Sequence, residues 1–176
     1  MSTNRFPCEK IDLSYFDNTP NCFVSEVTLN CTPATLFACF EDADSWTEWV
    51  PTIQHVEWTS PKPFRIGTTR DVSLSGNMIG YEEFIAWEPG ERMAFRFNDC
   101  SKNGVAAFGE DYQVTDLGDG RCHLVWRVVI EQRGIMKLFA PLLRPVLRRS
   151  FQKLLNGLVP YMDKEGKRFT VTQAAV

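Results

Sequence analysis

Apolar and polar residues alternate through most of the chain between residues 22 and 132, which is the period of a half-buried β-strand. The alternating segments are Cys22–Asn30, Ile53–Thr59, Thr68–Ser75, Met78–Trp87, Arg92–Asn98, Val105–Leu117 and Arg121–Gln132. Turn-forming pairs such as Gly76-Asn77 and Pro89-Gly90 separate the later segments. Because these later connections are too short for a crossover helix, the pattern predicts an antiparallel meander of strands.

Three other segments carry helical signals. Thr32 followed by Pro33 predicts the start of a short helix, and a second short helix is predicted over Ala43–Val50, where Pro51 ends it. The third segment runs from Ile135 to about Arg168 and repeats apolar residues at three- and four-residue steps. Its stripe consists of Phe139, Leu143, Leu147, Phe151, Leu154, Leu158 and Met162. This spacing predicts one long amphipathic helix.

Prolines interrupt the long helical segment in two places. Pro141 and Pro145 each remove a backbone donor near its start, which predicts a kink or a short preliminary turn there. Pro160 predicts a second kink late in the helix.

The domain organisation follows from where periodicity begins and ends. Residues 1–21 lack it and are predicted to be an N-terminal arm or a poorly ordered lead-in. Residues 22–168 are predicted to form one domain, and residues 169–176 a C-terminal tail. At 176 residues, 44% hydrophobic, the chain has enough apolar material for a single core.

Charge and hydropathy exclude some partners and locations. The formal net charge is −3 and the pI about 5.5, so the chain lacks the basic footprint that nucleic-acid binding needs. The first 20 residues show no apolar run after a basic stretch, and no window reaches the length of a membrane span. We therefore expect a soluble cytoplasmic protein that does not bind nucleic acid.

The chemistry-bearing residues give few catalytic signals. Six cysteines are scattered without a C-x-x-C pair, and the only histidines are His55 and His123, so neither a metal site nor a disulfide framework is expected. Both histidines fall at outward positions of predicted strands, which argues against a Ser-His-Asp or Cys-His site. The G-x-G-x-x-G, P-loop and H-E-x-x-H motifs are also missing.

Several stretches together carry a family signature. They are Ala43-Asp44-Ser45-Trp46 continuing to Pro51, Phe64-Arg65-Ile66-Gly67-Thr68, Glu82–Arg96 (EEFIAWEPGERMAFR), and the Leu142–Leu158 run with Arg148, Arg149 and Phe151. Over roughly residues 22–165 the chain resembles the polyketide cyclase/dehydrase and lipid-transport branch of the START-like (SRPBCC) superfamily.

This resemblance implies an α+β helix-grip fold. A curved antiparallel sheet of about seven strands would wrap around the long C-terminal helix, with two short helices after the first strand. The resemblance also implies a cavity between helix and sheet that receives a hydrophobic or aromatic small molecule. The branch has no shared catalytic motif, so the site must be argued from the residues.

Strand alternation predicts which side chains face that interior. Met93, Phe95 and Phe97 share one face of their strand. A two-residue Pro89-Gly90 turn would pair residue 86 with 93, 84 with 95 and 82 with 97, which places Ala86, Phe84 and Glu82 inside. On the outer face, Glu83 would then stand opposite Arg96 as an ion pair.

The last strand pair brings further polar groups inside. Leu124, Trp126, Val128 and Ile130 form its apolar face. A three-residue loop over Gly118-Asp119-Gly120 pairs residue 114 with 124, 112 with 126 and 110 with 128. Glu110 and Tyr112 would therefore join Glu82 as the polar groups of the interior. Each could orient a ligand or transfer protons. The plainer interpretation, which we favour, is that each bonds an arginine, a tyrosine or a water at the sheet edge; Arg70 is available under one register of the Gly76-Asn77 turn.

These arguments give two main hypotheses for function. In the first, the protein is a carrier or sensor that encloses a hydrophobic small molecule and needs no metal or organic cofactor. The predicted ligand-binding residues are Phe84, Phe95, Phe97, Phe108, Glu110, Tyr112, Trp126, Leu143, Leu147 and Phe151. In the second, it is a cyclase or dehydratase in which Glu110, Tyr112 and Glu82 exchange protons with a cyclic or polyketide-like substrate. A core filled by its own side chains would instead favour an interaction module.

The remaining surface signals each have two interpretations. Trp46 and Trp49 could line the mouth of the cavity, but more often such residues seal a helix onto a sheet. A basic cluster on the long helix suits transient membrane contact, although a solvated helix face is commoner; it comprises Arg144, Arg148, Arg149 and Lys153. Apolar residues on the outer sheet face, if exposed, would allow a homodimer; they are Ile79, Tyr81 and Ile85.

Overall fold

The computed structural model describes residues 4–170, apart from the side chains of residues 136–141. Its strands are β1 (Phe6–Pro7), β2 (Cys22–Leu29), β3 (Ile53–Trp58), β4 (Thr69–Leu74), β5 (Met78–Glu88), β6 (Arg92–Cys100), β7 (Val105–Gly118) and β8 (Arg121–Gln132). Its helices are α1 (Tyr15–Asn18), α2 (Pro33–Glu41), α3 (Ala43–Trp49), α4 (Met136–Asn156) and α5 (Leu158–Glu165), followed by a 3₁₀ turn at Gly166–Phe169. Among the helices described, none is long and apolar enough to cross a membrane.

All neighbouring strands are antiparallel, in the order β2-β8-β7-β6-β5-β4-β3, with β1 paired to one end of β6. Helix α4 lies against β2 and β8, and the short helices α2 and α3 follow β2. The predicted helix-grip class is confirmed.

Local signals explain where the short helices begin. The Thr32 hydroxyl accepts a hydrogen bond from the Thr35 backbone N–H at 3.2 Å, and Pro33 occupies the first helical turn of α2. The Asp42 carboxylate likewise accepts from the Asp44 N–H at 3.1 Å and caps α3.

The predicted register of β7 and β8 is confirmed. Its three pairs are Val114–Leu124, Tyr112–Trp126 and Glu110–Val128. The predicted loop was one residue too long, because Gly118 pairs with Arg121 and leaves a two-residue turn. Asp119 and Gly120 both have positive φ, 53° and 74°, as such hairpin turns require. A register shift between Asp116 and Gly118 accounts for the one-residue difference in loop length.

The register of β5 and β6 is confirmed only for part of its length. Phe84 pairs with Phe95, Glu82 with Phe97, and Glu83 with Arg96, and the last two residues form an ion pair at 3.3 Å. The prediction for the end near the turn was wrong. Ala86 pairs with Ala94, and Met93 pairs with Trp87 rather than with residue 86.

A bulge next to Ile85 causes this change. The register shifts between Phe84 and Ala86, so that Trp87 joins the inner core although strict alternation from Phe84 places it outside. Its ring stands edge-on to Phe84 at a centroid distance of 5.0 Å.

The C-terminal helix is broken near its end. Helix α4 stops at Asn156 and α5 begins at Leu158. Pro160 has no N–H to bond the carbonyl four residues earlier, that of Asn156, which explains the break. One helix, α4, runs across both Pro141 and Pro145, so these prolines do not form the predicted separate turn.

The apolar stripe is buried unevenly. Leu158 and Met162 are buried, whereas Leu143, Leu147, Phe151 and Leu154 are half-buried. Phe139 lies outside the described side chains.

The segment before β2 packs on the outer face of the sheet. Ile11 and Phe16 are buried there against Ala107 and Val129. Its backbone is held by side chains of the sheet: Arg96 donates to the Ile11 carbonyl at 2.9 Å. The division into arm, domain and tail stays a prediction.

This packing changes the outer surface. Of the three residues whose exposure would allow a homodimer, Tyr81 is buried, and Ile79 and Ile85 are half-buried. The guanidinium of Arg5 lies 3.7 Å from the Tyr81 ring centroid, and Ile85 packs against the cluster of Ile11. A homodimer through these three residues therefore lacks an exposed apolar face.

Candidate functional site

An internal cavity of about 180 Å³ lies between the sheet, α3 and α4. Its walls are mainly aromatic and aliphatic: Trp46, Trp49, Val50, Thr52, Ile53, Leu74, Phe108, Glu110, Tyr112, Trp126, Phe151 and Leu154. A larger groove of about 700 Å³ lies on the surface around the β5–β6 turn and is lined by Glu88, Glu91 and Arg92 among others. That groove is open and polar, so the internal cavity is the better site for an apolar molecule.

Helix α3 supplies one wall. Trp46 is fixed by a hydrogen bond from its indole Nε1 to the Phe40 carbonyl at 2.9 Å, and its ring stacks on Phe40 at a centroid distance of 5.6 Å. Trp49 lies against Trp46 at 5.4 Å. Both rings seal α3 onto the sheet and line the cavity, so the two interpretations of these residues are compatible.

Helix α4 supplies the opposite wall through Phe151 and Leu154. The Phe151 ring stands edge-on to Trp126 at 5.6 Å and tilted against Phe23 at 5.3 Å. Gln152 holds this part of the helix on the sheet edge, because its amide bonds both the carbonyl and the N–H of Glu26, at 3.0 and 3.3 Å.

Glu110, on β7, is the acidic group of the cavity wall. Its Oε2 accepts a short hydrogen bond from the Tyr112 hydroxyl and another from the Trp126 indole at 3.0 Å. Burial raises the pKa of Glu110, although these two bonds oppose the shift. Burial also raises the pKa of Tyr112, helped by the neighbouring carboxylate. Glu110 therefore keeps its proton to a higher pH than a glutamate in water does, while the Tyr112 hydroxyl donates its own proton in a hydrogen bond to Glu110.

A buried ion pair lies behind this wall. Arg70 and Glu82 face each other across β4 and β5, with Nε and Oε2 2.5 Å apart and both side chains buried. The guanidinium of Arg70 lies 4.4 Å from the Trp46 ring and 4.7 Å from the Phe95 ring. Burial raises the pKa of Glu82 to about 7 against the opposing effect of Arg70. The plainer interpretation of Glu82, a bond to Arg70, is confirmed.

The structure brings together half of the predicted ligand-binding residues. Those that line the cavity are Phe108, Glu110, Tyr112, Trp126 and Phe151. Phe84 and Phe95 are packed in the core with Trp58 and Trp87, and Phe97 fills a separate cluster with Cys8 and Cys100. Leu143 and Leu147 lie earlier on α4 and do not line it. A role in binding stays a prediction for all of these residues.

Several lining residues were not predicted as ligand contacts. They are Val50, Thr52, Ile53, Leu74 and Leu154, together with Trp46 and Trp49, for which lining the cavity mouth was the less favoured of two interpretations. Leu154 belongs to the predicted helical stripe, so its periodicity already pointed inward. Ile53 and Leu74 are paired neighbours at the ends of β3 and β4, a placement that depends on a register shift within β3.

The histidines and cysteines lie outside the cavity. His55 is exposed, as predicted, and His123 is half-buried, 3.6 Å from the Glu26 carboxylate. All six cysteines are free thiols, and five of them are buried. Within residues 4–170, no cluster of side chains could hold a metal ion.

The family model described as "Polyketide cyclase / dehydrase and lipid transport" matches residues 21–163. The chain belongs to this family. Uncharacterized proteins of Mycobacterium tuberculosis and Mycobacterium bovis are 41% identical to the chain over 168 residues, which covers 96% of it and 98% of each relative. The family membership expected from the sequence is thereby confirmed.

Solved structures share the fold at low identity. An aromatase/cyclase from Streptomyces sp. R1128 is 13% identical, covers 88% of the chain and 98% of its own, and gives a TM-score of 0.62. A START superfamily protein from Mycobacterium smegmatis is also 13% identical and gives a TM-score of 0.60, covering 85% of the chain and 99% of its own. These likenesses show a START-like fold, and they carry no activity over to this chain.

Proposed function

We propose that this protein binds a small hydrophobic or aromatic molecule in the internal cavity, as a carrier or sensor in the cytoplasm. The aromatic-walled cavity, whose lining residues are buried or half-buried except for Thr52, carries this proposal. A volume of 180 Å³ is close to that of an engineered cavity of about 150 Å³ that holds benzene, and below the about 300 Å³ or more of typical drug-sized sites. The cavity therefore suits a ligand with one ring or a short branched chain.

Glu110 offers such a ligand one polar contact. Its Oε2 is occupied by Tyr112 and Trp126, whereas its Oε1 takes part in none of the side-chain hydrogen bonds of residues 4–170. A ligand hydroxyl placed at this oxygen would be oriented by one hydrogen bond, worth about 1 kcal/mol. A single polar contact within aromatic walls is the usual composition of a small-molecule site.

Isothermal calorimetry with single-ring alkylbenzenes and phenols tests the proposal. The key variant is Ile53→Trp, which places a larger ring on the cavity wall, and its matched control is Ile66→Trp, at an exposed position outside the cavity. Wild type and the control should bind the same probes, and Ile53→Trp should lose binding without a large fall in Tm. Equal binding by both variants would place the ligand elsewhere.

A cyclase or dehydratase is the second candidate, favoured by one observation. Glu110 lines the cavity with a raised pKa and a free Oε1, which suits a proton donor to a substrate hydroxyl or carbonyl. The structure also weakens this candidate, because Glu110 and Tyr112 are bonded to each other and Glu82 to Arg70. If it is an enzyme, a bound cyclic alcohol should lose one water in wild type and remain intact in Glu110→Gln, as mass spectrometry would show.

A further inference from the structure

The internal cavity adjoins a second space that opens at the surface. This outer pocket, of about 250 Å³, is lined by Trp49, Pro51, Ser150, Lys153, Leu154 and Gly157. Trp49 and Leu154 line both spaces and so form the boundary between them. The other four residues are exposed. The outer pocket thus lies where a ligand in the cavity would come nearest to solvent on this side of the protein.

Trp49 leaves a hydrogen-bond donor unused at this boundary. Its side chain is 5% exposed, and its indole Nε1 is buried without a partner among the described residues. Buried polar groups are nearly always paired, because an unpaired one has lost its water without a replacement. An acceptor atom on a ligand that spans the boundary would supply the missing partner.

Lys153 gives the same pocket a positive charge. It stands in the last turn of α4, and it is the one charged residue among those that line the outer pocket. It takes part in none of the ion pairs formed by the described residues. A donor and a free cation on one pocket wall favour an anionic acceptor.

The inner end of the cavity has the opposite preference. Glu110 is the one carboxyl group among the residues that line the cavity, and none of those residues is a cation, so a ligand carboxylate buried there would lose its hydration without gaining an opposite charge. A charged ligand therefore has one favourable orientation, with its apolar part inside and its anionic group at the outer pocket.

We infer that the ligand is a small amphiphilic carboxylic acid, whose apolar ring lies in the cavity and whose carboxylate lies at Trp49 and Lys153. This inference rests on the proposed binding function and adds to it the chemical class of the ligand. It makes Trp49 and Lys153 specificity residues, distinct from the apolar walls that supply most of the affinity.

Three probes of nearly equal shape test the inference: 3-phenylpropanoate, its neutral amide 3-phenylpropanamide, and propylbenzene. Quenching of tryptophan fluorescence reports binding, because Trp46, Trp49 and Trp126 line the cavity. Wild type should bind the carboxylate about threefold to fivefold more tightly than the amide, which is the size of one partly screened ion pair. This preference should shrink as salt is added.

Two variants test whether Lys153 and Trp49 cause the preference for the carboxylate probe. Lys153→Gln should bring the carboxylate and the amide to about equal affinity, whereas Lys102→Gln, on the turn between β6 and β7 and outside both spaces, should keep the wild-type preference. Trp49→Phe should weaken the two polar probes more than propylbenzene, since it removes the donor and keeps an aromatic ring.

The outcomes separate this inference from the function on which it rests. If propylbenzene and the amide bind but the carboxylate binds no more tightly, or if Lys153→Gln keeps the preference, the inference is wrong and the cavity still binds ligands. If none of the three probes binds wild type, the proposed binding function fails together with the inference.

Discussion

Asp111 is the most heavily bonded carboxylate of the outer sheet face, and its removal gives a measurable loss of stability. The side chain is fully buried on β7. It accepts two hydrogen bonds from Arg92 at 2.8 and 3.2 Å, two from Arg127 at 2.8 and 2.6 Å, and one from Gln113 at 2.8 Å. Arg127 also pairs with Asp17 of the N-terminal segment at 2.5 Å. Asp111→Ala therefore removes the side-chain interactions that connect β7 to β6 and β8, and it weakens the contact of β8 with the N-terminal segment.

The expected loss of stability follows from the two guanidinium groups, of Arg92 and Arg127, that Asp111→Ala leaves without their carboxylate partner. Breaking a buried ion pair by removing one partner costs about 3–5 kcal/mol. The side chains of Arg92 and Arg127 keep 26% and 14% of their surface exposed, so water can partly replace the carboxylate. We expect a loss near the lower end, about 3 kcal/mol, which for a chain of this size lowers Tm by about 6–12 °C.

Urea unfolding followed by circular dichroism measures this loss. The matched control is Asp119→Asn in the exposed β7–β8 turn, where φ is 53° and asparagine is well tolerated. Asp111 lies on the outer face, so the affinity of the cavity for its ligand should stay within about twofold in folded Asp111→Ala. A loss of stability below about 1 kcal/mol would refute the reasoning that this carboxylate holds the outer face together.

Two further substitutions test the inner face. A Cβ at Gly80 would lie 2.3 Å from the Phe97 ring, so Gly80→Ala should cost about 1–3 kcal/mol; an unchanged thermal midpoint would show that Phe97 moves freely. Burial raises the pKa of Glu110, so the folded state keeps a proton that the unfolded state loses above about 4.5. The stability from this group is complete below that pH and is lost as pH rises through the folded pKa. Glu110→Gln should therefore gain stability relative to wild type as pH rises above about 4.5 in urea titrations, and a difference that does not change with pH would mean that Glu110 is ionised in both states.

The sequence was sufficient to predict the fold and the inward face of β6, β7 and β8. Alternation and turn chemistry fixed the pairing of Tyr112 with Trp126 and of Glu110 with Val128, which put the polar group of the cavity in place. Pro160 predicted the break before α5, because a missing backbone N–H disturbs the helix within one turn of the proline.

Features that depend on contacts between distant residues could not be predicted. The bulge beside Ile85 has no glycine or turn signal, yet it brings Trp87 into the core against Phe84. The burial of Ile11 and Phe16 depends on the outer face of the sheet, because the segment itself has no periodicity. The cavity is consequently smaller and nearer to α3 than the list of inward residues suggested.

Native mass spectrometry of the freshly purified protein, compared with its denatured mass, tests the central claim most directly. The account predicts an additional small mass, released on denaturation, that matches a one-ring or short-chain acid. Protein whose native mass equals its denatured mass, and which still takes up no single-ring probe after mixing, would contradict a ligand-binding cavity and favour a core that serves only to hold the fold.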